Sequence, residues 1–453
     1  MPHHHTSSKQ SSGRGGRRRR GSARGKHHGH GHAAPRHPRT SHPVVAPHEC
    51  DTRPIAFTTL PLASELLSGV HDRQFEQTTP IQSAVIPLAL ARQDVIGCAA
   101  TGTGKTLAFL LPAFQHLLEH DRAVLKTGPS NGQKKGTRML VLAPTRELCV
   151  QIEDDVQGLI YHTPLTSVAI YGGVPMNPQS RALEAGVDII VATPGRLIDH
   201  MRTAGVNGVH FNGIEILVLD EADRMMDMGF WPDVRRIVAA LPPAEKRQTL
   251  LFSATMPAEM MAQAREITRD AKYVQVGAAG APAVTITHTV QQVSSSHEKV
   301  EWLIKFLKRT GGPVLVFART KIGAERLARR LQSAGLPAAS LHADRTQPQR
   351  TAAIEGFRAG RYRVLVATDV AARGIDVDGI SHVVNFEVPT DLDAYVHRVG
   401  RTGRAEAAGT ALTLVAPEER RALAALEQTF DLKLHGGPER PAHRGAEPSA
   451  LQS

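Results

Sequence analysis

The stretch DVIGCAATGTGKTLAFLL, residues 94–111, contains the change of pattern that decides the fold. Its beginning, 94–98, is an apolar run typical of a buried strand, and its end, 107–111, is typical of a helix. A turn rich in Gly and Thr occupies 100–106 between them. A turn in this position aims backbone N–H groups and a helix N-terminus at anions, so the stretch predicts a phosphate-binding loop in an α/β protein. The residues assigned to the nucleotide are Ala100, Thr101, Gly102, Thr103, Gly104, Lys105 and Thr106.

An acidic motif, Asp-Glu-Ala-Asp at 220–223, follows directly on a second apolar run, IEILVL. Asp220 offers Mg²⁺ a hard oxygen ligand, usually through water, and Thr106 offers its hydroxyl. Lys105 adds positive charge, and Glu221 stands where a base would polarise the attacking water. A glycine-rich turn and a solvated acidic cluster are the plainer alternative, but both would have to occur in this order by chance. The two motifs together predict a nucleoside triphosphatase site.

The basic charge of the chain is concentrated at its N-terminus. Residues 1–48 carry ten Lys and Arg side chains and no acidic one, which accounts for nearly all of the formal charge of +11. Because this segment has few large apolar side chains, we expect a disordered tail at 1–50. Its arginine run suits contacts with phosphates, and a merely solubilising tail is the alternative.

Cysteine content and hydropathy argue against several other classes of protein. Cys50, Cys98 and Cys149 have neither the spacing of a metal site nor the number needed for a disulfide framework, which favours a reducing cytosol. No apolar stretch approaches membrane-spanning length, and the polar N-terminus lacks the apolar core of a signal peptide. We therefore expect a cytoplasmic protein without a membrane partner.

Apolar strand-like runs alternate with helical runs over most of the 453 residues, a length that exceeds one ordinary core. We predict two α/β domains, each built on a doubly wound parallel sheet. The predicted strands are 94–98, 139–143, 168–171, 187–192, 214–219 and 249–252, then 314–317, 364–367, 382–386 and 411–415. The predicted organisation is a tail at 1–50, a first domain at 51–276, a linker at 277–285, a second domain at 286–434 and a polar tail at 435–453. Residues 126–136 are predicted as a surface loop.

Two further motifs complete a family pattern. Ser-Ala-Thr occupies 253–255, and HRVGRTGR occupies 397–404. With the motifs above, the chain resembles the DEAD-box family of RNA-dependent ATPases and helicases of superfamily 2 over residues 55–430. The general shape of the sequence suggests the bacterial RhlE-like group. The resemblance implies an α/β fold of two tandem RecA-like parallel-sheet domains with a disordered basic N-terminal tail.

The resemblance implies that ATP is bound from both domains. Gln82, in Thr-Pro-Ile-Gln at 79–82, matches the family's adenine-reading glutamine, whose amide donates to and accepts from the base edge at once. Phe57 lies where the family places an aromatic against the base, with a core aromatic as the alternative, and Gln77 is assigned to the same site. In the second domain, Asp376 would hold the ribose. Besides Lys105, Asp220 and Glu221, the implied catalytic residues are His397, Arg401 and Arg404, the two arginines as arginine fingers.

Loops that follow predicted strands carry the residues that the resemblance assigns to RNA. The carboxyl ends of parallel strands are where α/β sheets bind ligands, and Gly, Thr and Arg suit close contact with phosphates. These residues are Pro144, Thr145, Arg146, Gly172, Gly173, Thr193, Pro194, Gly195 and Arg196, with Arg350 and Thr368 in the second domain. Ser253 and Thr255 would couple the nucleotide site to RNA. Such contacts imply recognition mainly of the sugar-phosphate backbone.

The resemblance implies an ATP-dependent RNA helicase that uses ATP and Mg²⁺. It would use ATP binding and hydrolysis for local, non-processive unwinding or remodelling of RNA duplexes and RNA–protein complexes. An ATP-gated RNA clamp or annealing protein, and a DNA-directed translocase, are the alternatives. The sequence identifies no natural RNA and no protein partner, such as a ribosome-assembly or RNA-decay factor.

Overall fold

The computed structural model describes residues 46–127, 136–203, 211–277, 286–372, 377, 379–389, 392–403 and 408–430. The predictions for most of the N-terminal tail, for the linker after Gly277 and for the C-terminal tail lie outside these residues. Asp376 and Arg404 also lie outside them.

The first sheet has seven parallel strands. They are β1 (Val95–Ala99), β2 (Met139–Leu142), β3 (Ser167–Ile170), β4 (Ile189–Ala192), β5 (Ile216–Leu219), β6 (Gln248–Ser253) and β7 (Lys272–Val276). Their order across the sheet is β3-β4-β2-β5-β6-β1-β7, and every pair is parallel. The five central strands are buried along their whole length, as expected for strands covered by helices on both faces.

The second sheet has six parallel strands. They are β8 (Ile286–Gln292), β9 (Val314–Phe317), β10 (Ala338–Leu341), β11 (Val364–Ala367), β12 (His382–Asn385) and β13 (Gly409–Val415). Their order is β10-β11-β9-β12-β13-β8. The two sheets confirm the predicted fold class of two parallel-sheet α/β domains.

Helices connect the strands and cover both faces of each sheet. Those of the first domain are α1 (Ser64–Asp72), α2 (Pro80–Leu90), α3 (Lys105–Thr127), α4 (Arg146–Ile160), α5 (Met176–Ala185), α6 (Pro194–Thr203), α7 (Ala222–Asp227), α8 (Trp231–Val238) and α9 (Ala258–Ile267), with short 3₁₀ turns at Phe57–Thr59 and Ala244–Lys246. Those of the second are α10 (Glu298–Arg309), α11 (Lys321–Ser333), α12 (Gln347–Arg358), α13 (Asp369–Ala372), α14 (Leu392–Val399) and α15 (Arg420–Phe430), with a 3₁₀ turn at Pro417–Glu419.

Alternation along each strand divides the first domain into two cores. In β5, Ile216 and Val218 pack into one core, and Leu217 and Leu219 pack into the other. Successive side chains of a strand point to opposite faces, so an unbroken apolar run serves both layers of helices. This arrangement explains why the central strands are visible in the sequence as continuous apolar runs.

The differences from the sequence prediction lie mostly at the sheet margins. The strands β7, β8 and β10 were not predicted, and each lies at an edge of its sheet. The surface loop predicted at 126–136 is wrong at its start, because α3 continues to Thr127. The parallel order brings the carboxyl ends of the strands to one side of each sheet, where the motif-bearing loops follow.

Candidate active site in the cleft between the domains

The loop after β1 has the backbone geometry of an anion cradle. Gly102 and Gly104 adopt φ of 79° and 87°, a region that side chains other than Gly rarely enter. A Cβ at Gly104 would also lie 2.4 Å from Nε2 of Gln82. Because α3 begins at Lys105, the loop directs a helix N-terminus at the space that it encloses.

Lys105 is a buried cation inside this loop. Its Nζ donates hydrogen bonds to the carbonyl oxygens of Ala99 at 2.7 Å and Ala100 at 3.4 Å. Burial raises the pKa of Asp220, and the Lys105 charge opposes that effect in part. The ammonium is thus placed between the phosphate loop and the acidic motif.

Gln82 braces the phosphate loop. Its Oε1 accepts from the backbone N–H of Thr79 at 2.9 Å, and its Nε2 donates to the carbonyl of Gly104 at 2.9 Å. The Thr79 hydroxyl donates to the carbonyl of Thr103 at 2.7 Å. A primary amide has two donor hydrogens and two acceptor lone pairs, so Gln82 keeps one of each for a base edge. The predicted contact with adenine is compatible with this geometry.

Phe57 lies in the core of the first domain. Its side chain is 2% exposed and packs among the aliphatic residues of that core. This degree of burial is typical of a core aromatic, the alternative given for this position. Gln77 is exposed and pairs with Ala56 in an isolated antiparallel bridge. The nucleotide roles of both residues stay predictions.

Asp220 has the environment of a cation ligand. It is buried at the carboxyl end of β5, and burial raises the pKa of its carboxyl to about 7. No three His, Cys, Asp or Glu side chains of the described residues converge as a metal cluster. A single buried carboxylate is the kind of oxygen ligand that Mg²⁺ takes together with water and phosphate oxygens, and the metal roles of Asp220 and Thr106 stay predictions.

Glu221 is held in a strained backbone conformation next to two arginines. Its φ and ψ are both 50°, in the left-handed region, which costs about 1–3 kcal/mol for a residue other than Gly. Its Oε2 lies 3.4 Å from Nε of Arg224, and its Oε1 lies 3.9 Å from Nη2 of Arg401. Strain of this kind is found where the surrounding structure fixes a side chain for function.

Asp223 joins the acidic motif to the Ser-Ala-Thr motif. Its Oδ2 accepts from the backbone N–H groups of Ala254 at 3.1 Å and Thr255 at 3.0 Å, and from the Thr255 hydroxyl at 3.1 Å. The Ser253 hydroxyl donates to the carbonyl of Thr255 at 2.6 Å. One buried carboxylate thus fixes the loop after β6, the loop to which the sequence assigns a coupling role.

Residues of the second domain face this acidic motif across the cleft. Nε2 of His397 lies 3.8 Å from Oδ2 of Asp223, and Arg401 lies close to Glu221 as stated above. The Thr101 hydroxyl in the phosphate loop donates to the carbonyl of Gly400 at 3.5 Å. The structure therefore brings His397 and Arg401 to the site formed by Lys105, Asp220 and Glu221.

Arg398 anchors the helix that presents these two residues, and it was not singled out in the sequence. It donates to both carboxylate oxygens of Asp369 at 2.5 and 2.7 Å, and to Oδ1 of Asn385 at 3.1 Å. Its guanidinium also lies 5.2 Å from the centre of the Phe317 ring. Its position between His397 and Arg401 could have indicated this role, because a third cation so close to two others requires an acidic partner.

The loops predicted to bind RNA converge in the first domain. A Cβ on Gly173, which has φ of 86°, would lie 2.0 Å from Nη1 of Arg146, so only Gly permits this close approach. Nη1 of Arg196 donates to the carbonyl of Val174 at 3.1 Å. Thr145 caps α4 by accepting from the N–H of Leu148. Arg146 and Arg196 thus meet on the loop after β3.

The other residues predicted to bind RNA follow the carboxyl ends of strands in the first sheet or lie in the second domain. Pro144 is buried after β2, Thr193 is buried directly after β4, and Pro194 and Gly195 open α6. A Cβ on Gly195 would meet no atom within 4 Å. Thr368 is buried at the start of α13.

Arg350, in contrast, forms an ion pair with a residue of the first domain. Its Nη2 lies 2.8 Å from Oε1 of Glu147, and the two side chains are 10% and 7% exposed. Burial lowers the pKa of the Arg350 guanidinium, against the opposite effect of the Glu147 charge. The pairing partner Glu147 directly follows Arg146 in the sequence, but a spacing pattern does not say which charges meet across a cleft.

Comparisons with known proteins agree with this geometry. The DEAD/DEAH box helicase model matches residues 79–263, and the helicase conserved C-terminal domain matches residues 298–406. DEAD-box ATP-dependent RNA helicase 30 of Arabidopsis thaliana is 43% identical over 350 residues, which span 77% of this chain and 57% of that protein. This plant relative does not support the narrower assignment to the bacterial RhlE-like group.

Two solved structures with the same fold contain RNA together with a nucleotide or a nucleotide analogue. S. cerevisiae Dbp5 bound to RNA and ADP BeF3 is 31% identical with a TM-score of 0.74, over 84% of this chain and 95% of that one. Mss116p bound to ssRNA and AMP-PNP is 27% identical with a TM-score of 0.77, over 86% of this chain and 80% of that one. No helix of the described residues is both long enough and apolar enough to cross a membrane. Taken with its motifs, its two sheets and the cleft between them, these matches show that the chain belongs to the DEAD-box helicase family.

Proposed function

We propose that this protein is an RNA-stimulated ATPase that uses ATP binding and hydrolysis for local, non-processive unwinding or remodelling of RNA duplexes and RNA–protein complexes. The observation that carries the proposal is the split site. Glu221 and Asp223 belong to the first domain, while Arg401 and His397, within 4 Å of them, belong to the second. Hydrolysis in such a site requires the two domains to be closed on each other.

The residues of the chain have separate tasks in this reaction. Lys105 and the N–H groups of the phosphate loop bind the phosphates, and Thr106 and Asp220 would hold Mg²⁺, which neutralises phosphate charge when it is bound. Glu221 accepts a proton from the attacking water. Arg401 stabilises the charge that develops on the transferred phosphoryl group, as a planar cation supplied from the other domain. Asp376 and Arg404 keep their predicted roles at the ribose and the γ-phosphate.

RNA would act on hydrolysis by favouring closure. The loops around Arg146 and Arg196 lie in the first domain, and Arg350 and Thr368 lie in the second, so one strand lying across both domains would bind the closed state better than the open state. The names of the Dbp5 and Mss116p structures record RNA together with a nucleotide or its analogue, which supports this use of the same fold. Asp223 connects the two sites through the Ser-Ala-Thr loop. A cytoplasmic location stays a prediction from the sequence.

The deciding experiment measures phosphate release by the purified full chain with ATP and Mg²⁺, in the presence of RNA, of DNA of the same sequence, and without nucleic acid. The proposal predicts that RNA strongly increases the rate of phosphate release and that DNA does not. Equal stimulation by DNA would instead support a DNA-directed translocase. A second assay follows displacement of a short RNA duplex, because RNA-stimulated hydrolysis without displacement would support a clamp or annealing protein.

A further inference from the structure

Arg224, which directly follows the acidic motif, is among the largest fully buried side chains of the described residues. It is 1% exposed and lies on the short helix α7. An arginine is almost never buried to this degree unless it is paired with another group. Neither the sequence motifs nor the proposed mechanism gives Arg224 a task.

The bonds of Arg224 do not account for its burial. Its Nε lies 3.4 Å from Oε2 of Glu221, and both Nε and Nη1 are buried without a hydrogen-bond acceptor among the described residues. Arg398 is also buried in this region, but its guanidinium donates hydrogen bonds to the side chains of Asp369 and Asn385. Each unsatisfied buried donor costs about 1–3 kcal/mol, a cost that no hydrogen bond of these two nitrogens to the described residues offsets.

The surroundings of Arg224 belong to the other domain. The guanidinium lines a small cavity whose other walls come from the second domain, including Phe317, Asp369, His397, Arg398 and Arg401. Arg224 is therefore a first-domain side chain that reaches across the cleft. Separation of the domains would open this side of the guanidinium to water.

The same side chain also sets the direction of the Glu221 carboxylate. Oε2 of Glu221 is turned to Arg224, and Oε1 is turned to Arg401 of the second domain. The charge of Arg224 beside Oε2 favours one rotation of the carboxylate, and so one direction for Oε1. The strained backbone of Glu221 adds to this constraint.

We propose that Arg224 is a positioning residue for ATP hydrolysis, which docks into the second domain on closure and there holds the Glu221 carboxylate in its reactive orientation. This inference rests on the proposed function. In this role Arg224 connects the approach of the two domains with the orientation of the Glu221 carboxylate. Positioning of a reacting group is worth large factors in rate, since a misplacement of about 1 Å can reduce turnover about 100-fold.

The test compares Arg224→Gln and Arg224→Lys with Arg236→Ala, which removes an exposed arginine of the same domain from α8. RNA-stimulated kcat, the KM for ATP, nucleotide affinity without RNA and melting temperature are measured on the full chain. We expect Arg224→Gln to lower kcat about 10- to 100-fold with little change in nucleotide affinity without RNA. Arg224→Lys should recover part of the rate, because it keeps the charge but does not have the planar fork.

The split between kcat and nucleotide affinity separates positioning from a merely structural role. A residue that only supports the fold should lower the melting temperature and nucleotide affinity together with kcat, whereas a positioning residue lowers kcat and leaves the other two unchanged. An unchanged kcat, a loss of kcat that follows a fall in melting temperature, or an Arg224→Lys protein as slow as Arg224→Gln would overturn the inference. If the wild-type protein itself showed no stimulation by RNA, the proposed function would fail first, and that result is distinct from a failure of Arg224 alone.

Discussion

At one end of the cleft Glu147 and Arg350 form an ion pair of 2.8 Å, whereas at the other end Glu221 and Asp223 lie 3.8 to 3.9 Å from Arg401 and His397. The first distance is that of a close ion pair, and the second distances are about 1 Å longer. On the side predicted to bind RNA, the two domains are thus joined directly by the ion pair of Glu147 and Arg350. On the nucleotide side, acidic and basic groups face each other at longer range. We therefore expect bound nucleotide to contribute more to closure on its own side of the cleft than on the other.

The largest effect should come from removing the base on the nucleotide side. Glu221→Gln keeps the shape of the side chain but cannot accept a proton, so we expect turnover to fall about 100- to 10,000-fold. ATP-dependent closure should survive, which would give a complex with RNA that dissociates slowly. Phosphate release and RNA dissociation rate are the measurements. Glu259→Gln, an exposed change of the same kind on α9, is the control, and rapid turnover by Glu221→Gln would contradict its assignment as the base.

Breaking the pair on the other side should affect closure and leave the chemical groups intact. Glu147→Gln or Arg350→Gln leaves a buried charge without its partner, which costs about 3–5 kcal/mol, so each should weaken RNA-dependent closure about 100-fold or more. The double variant should be weakened by less than the sum of the two, because both charges are gone.

The measurement for this pair is fluorescence energy transfer between labels on the two domains, titrated with RNA at saturating ATP. Nucleotide affinity without RNA is the internal control, and it should not change. Strictly additive effects of the two substitutions would show that Glu147 and Arg350 act separately.

Asp223 connects the two sides, and its substitution should have an intermediate effect. Asp223→Asn removes the negative charge from the group that accepts three hydrogen bonds at Oδ2, and a hydrogen bond to a charged group is worth about 1.5–3 kcal/mol. We expect the ratio of kcat with RNA to kcat without RNA to fall about 10- to 100-fold. Asp233→Asn, at the surface of α8, is the matched control. An unchanged ratio would show that the Ser-Ala-Thr loop does not couple the sites through Asp223.

The smallest effect on catalysis should come from removing the basic tail. Deletion of residues 1–50 removes ten Lys and Arg side chains, so RNA affinity should fall and its dependence on salt should flatten by about 0.7 in log–log slope for each phosphate that the tail neutralises. ATP turnover without RNA should not change. Filter binding over a salt series makes the measurement, and an identical slope for the two proteins would assign the tail no part in RNA binding.

The sequence predicts every central strand of the two sheets but only one of the four edge strands, β3. Central strands such as β2 and β5 are buried on both faces and must be apolar throughout, so their positions could be predicted to within one or two residues. β7 (KYVQV) and β8 (ITHTVQQ) lie at sheet edges, are only partly buried and carry polar residues at several positions. β10 (AASL) is short and contains small residues. Their identity as strands depends on a neighbour to pair with, which no local pattern contains.

The candidate site shows the same division. The sequence by itself determined the phosphate loop, the acidic motif and the Ser-Ala-Thr motif, because glycine at positive φ, buried carboxylates and hydroxyls at strand ends are local requirements of backbone geometry. Only the tertiary structure decided that Phe57 is enclosed in a core, that Arg350 pairs with Glu147, and that Arg224 crosses to the second domain. The physical reason is that burial and charge pairing depend on which surfaces meet in space, and residues more than a hundred positions apart meet here only when two separate sheets come together.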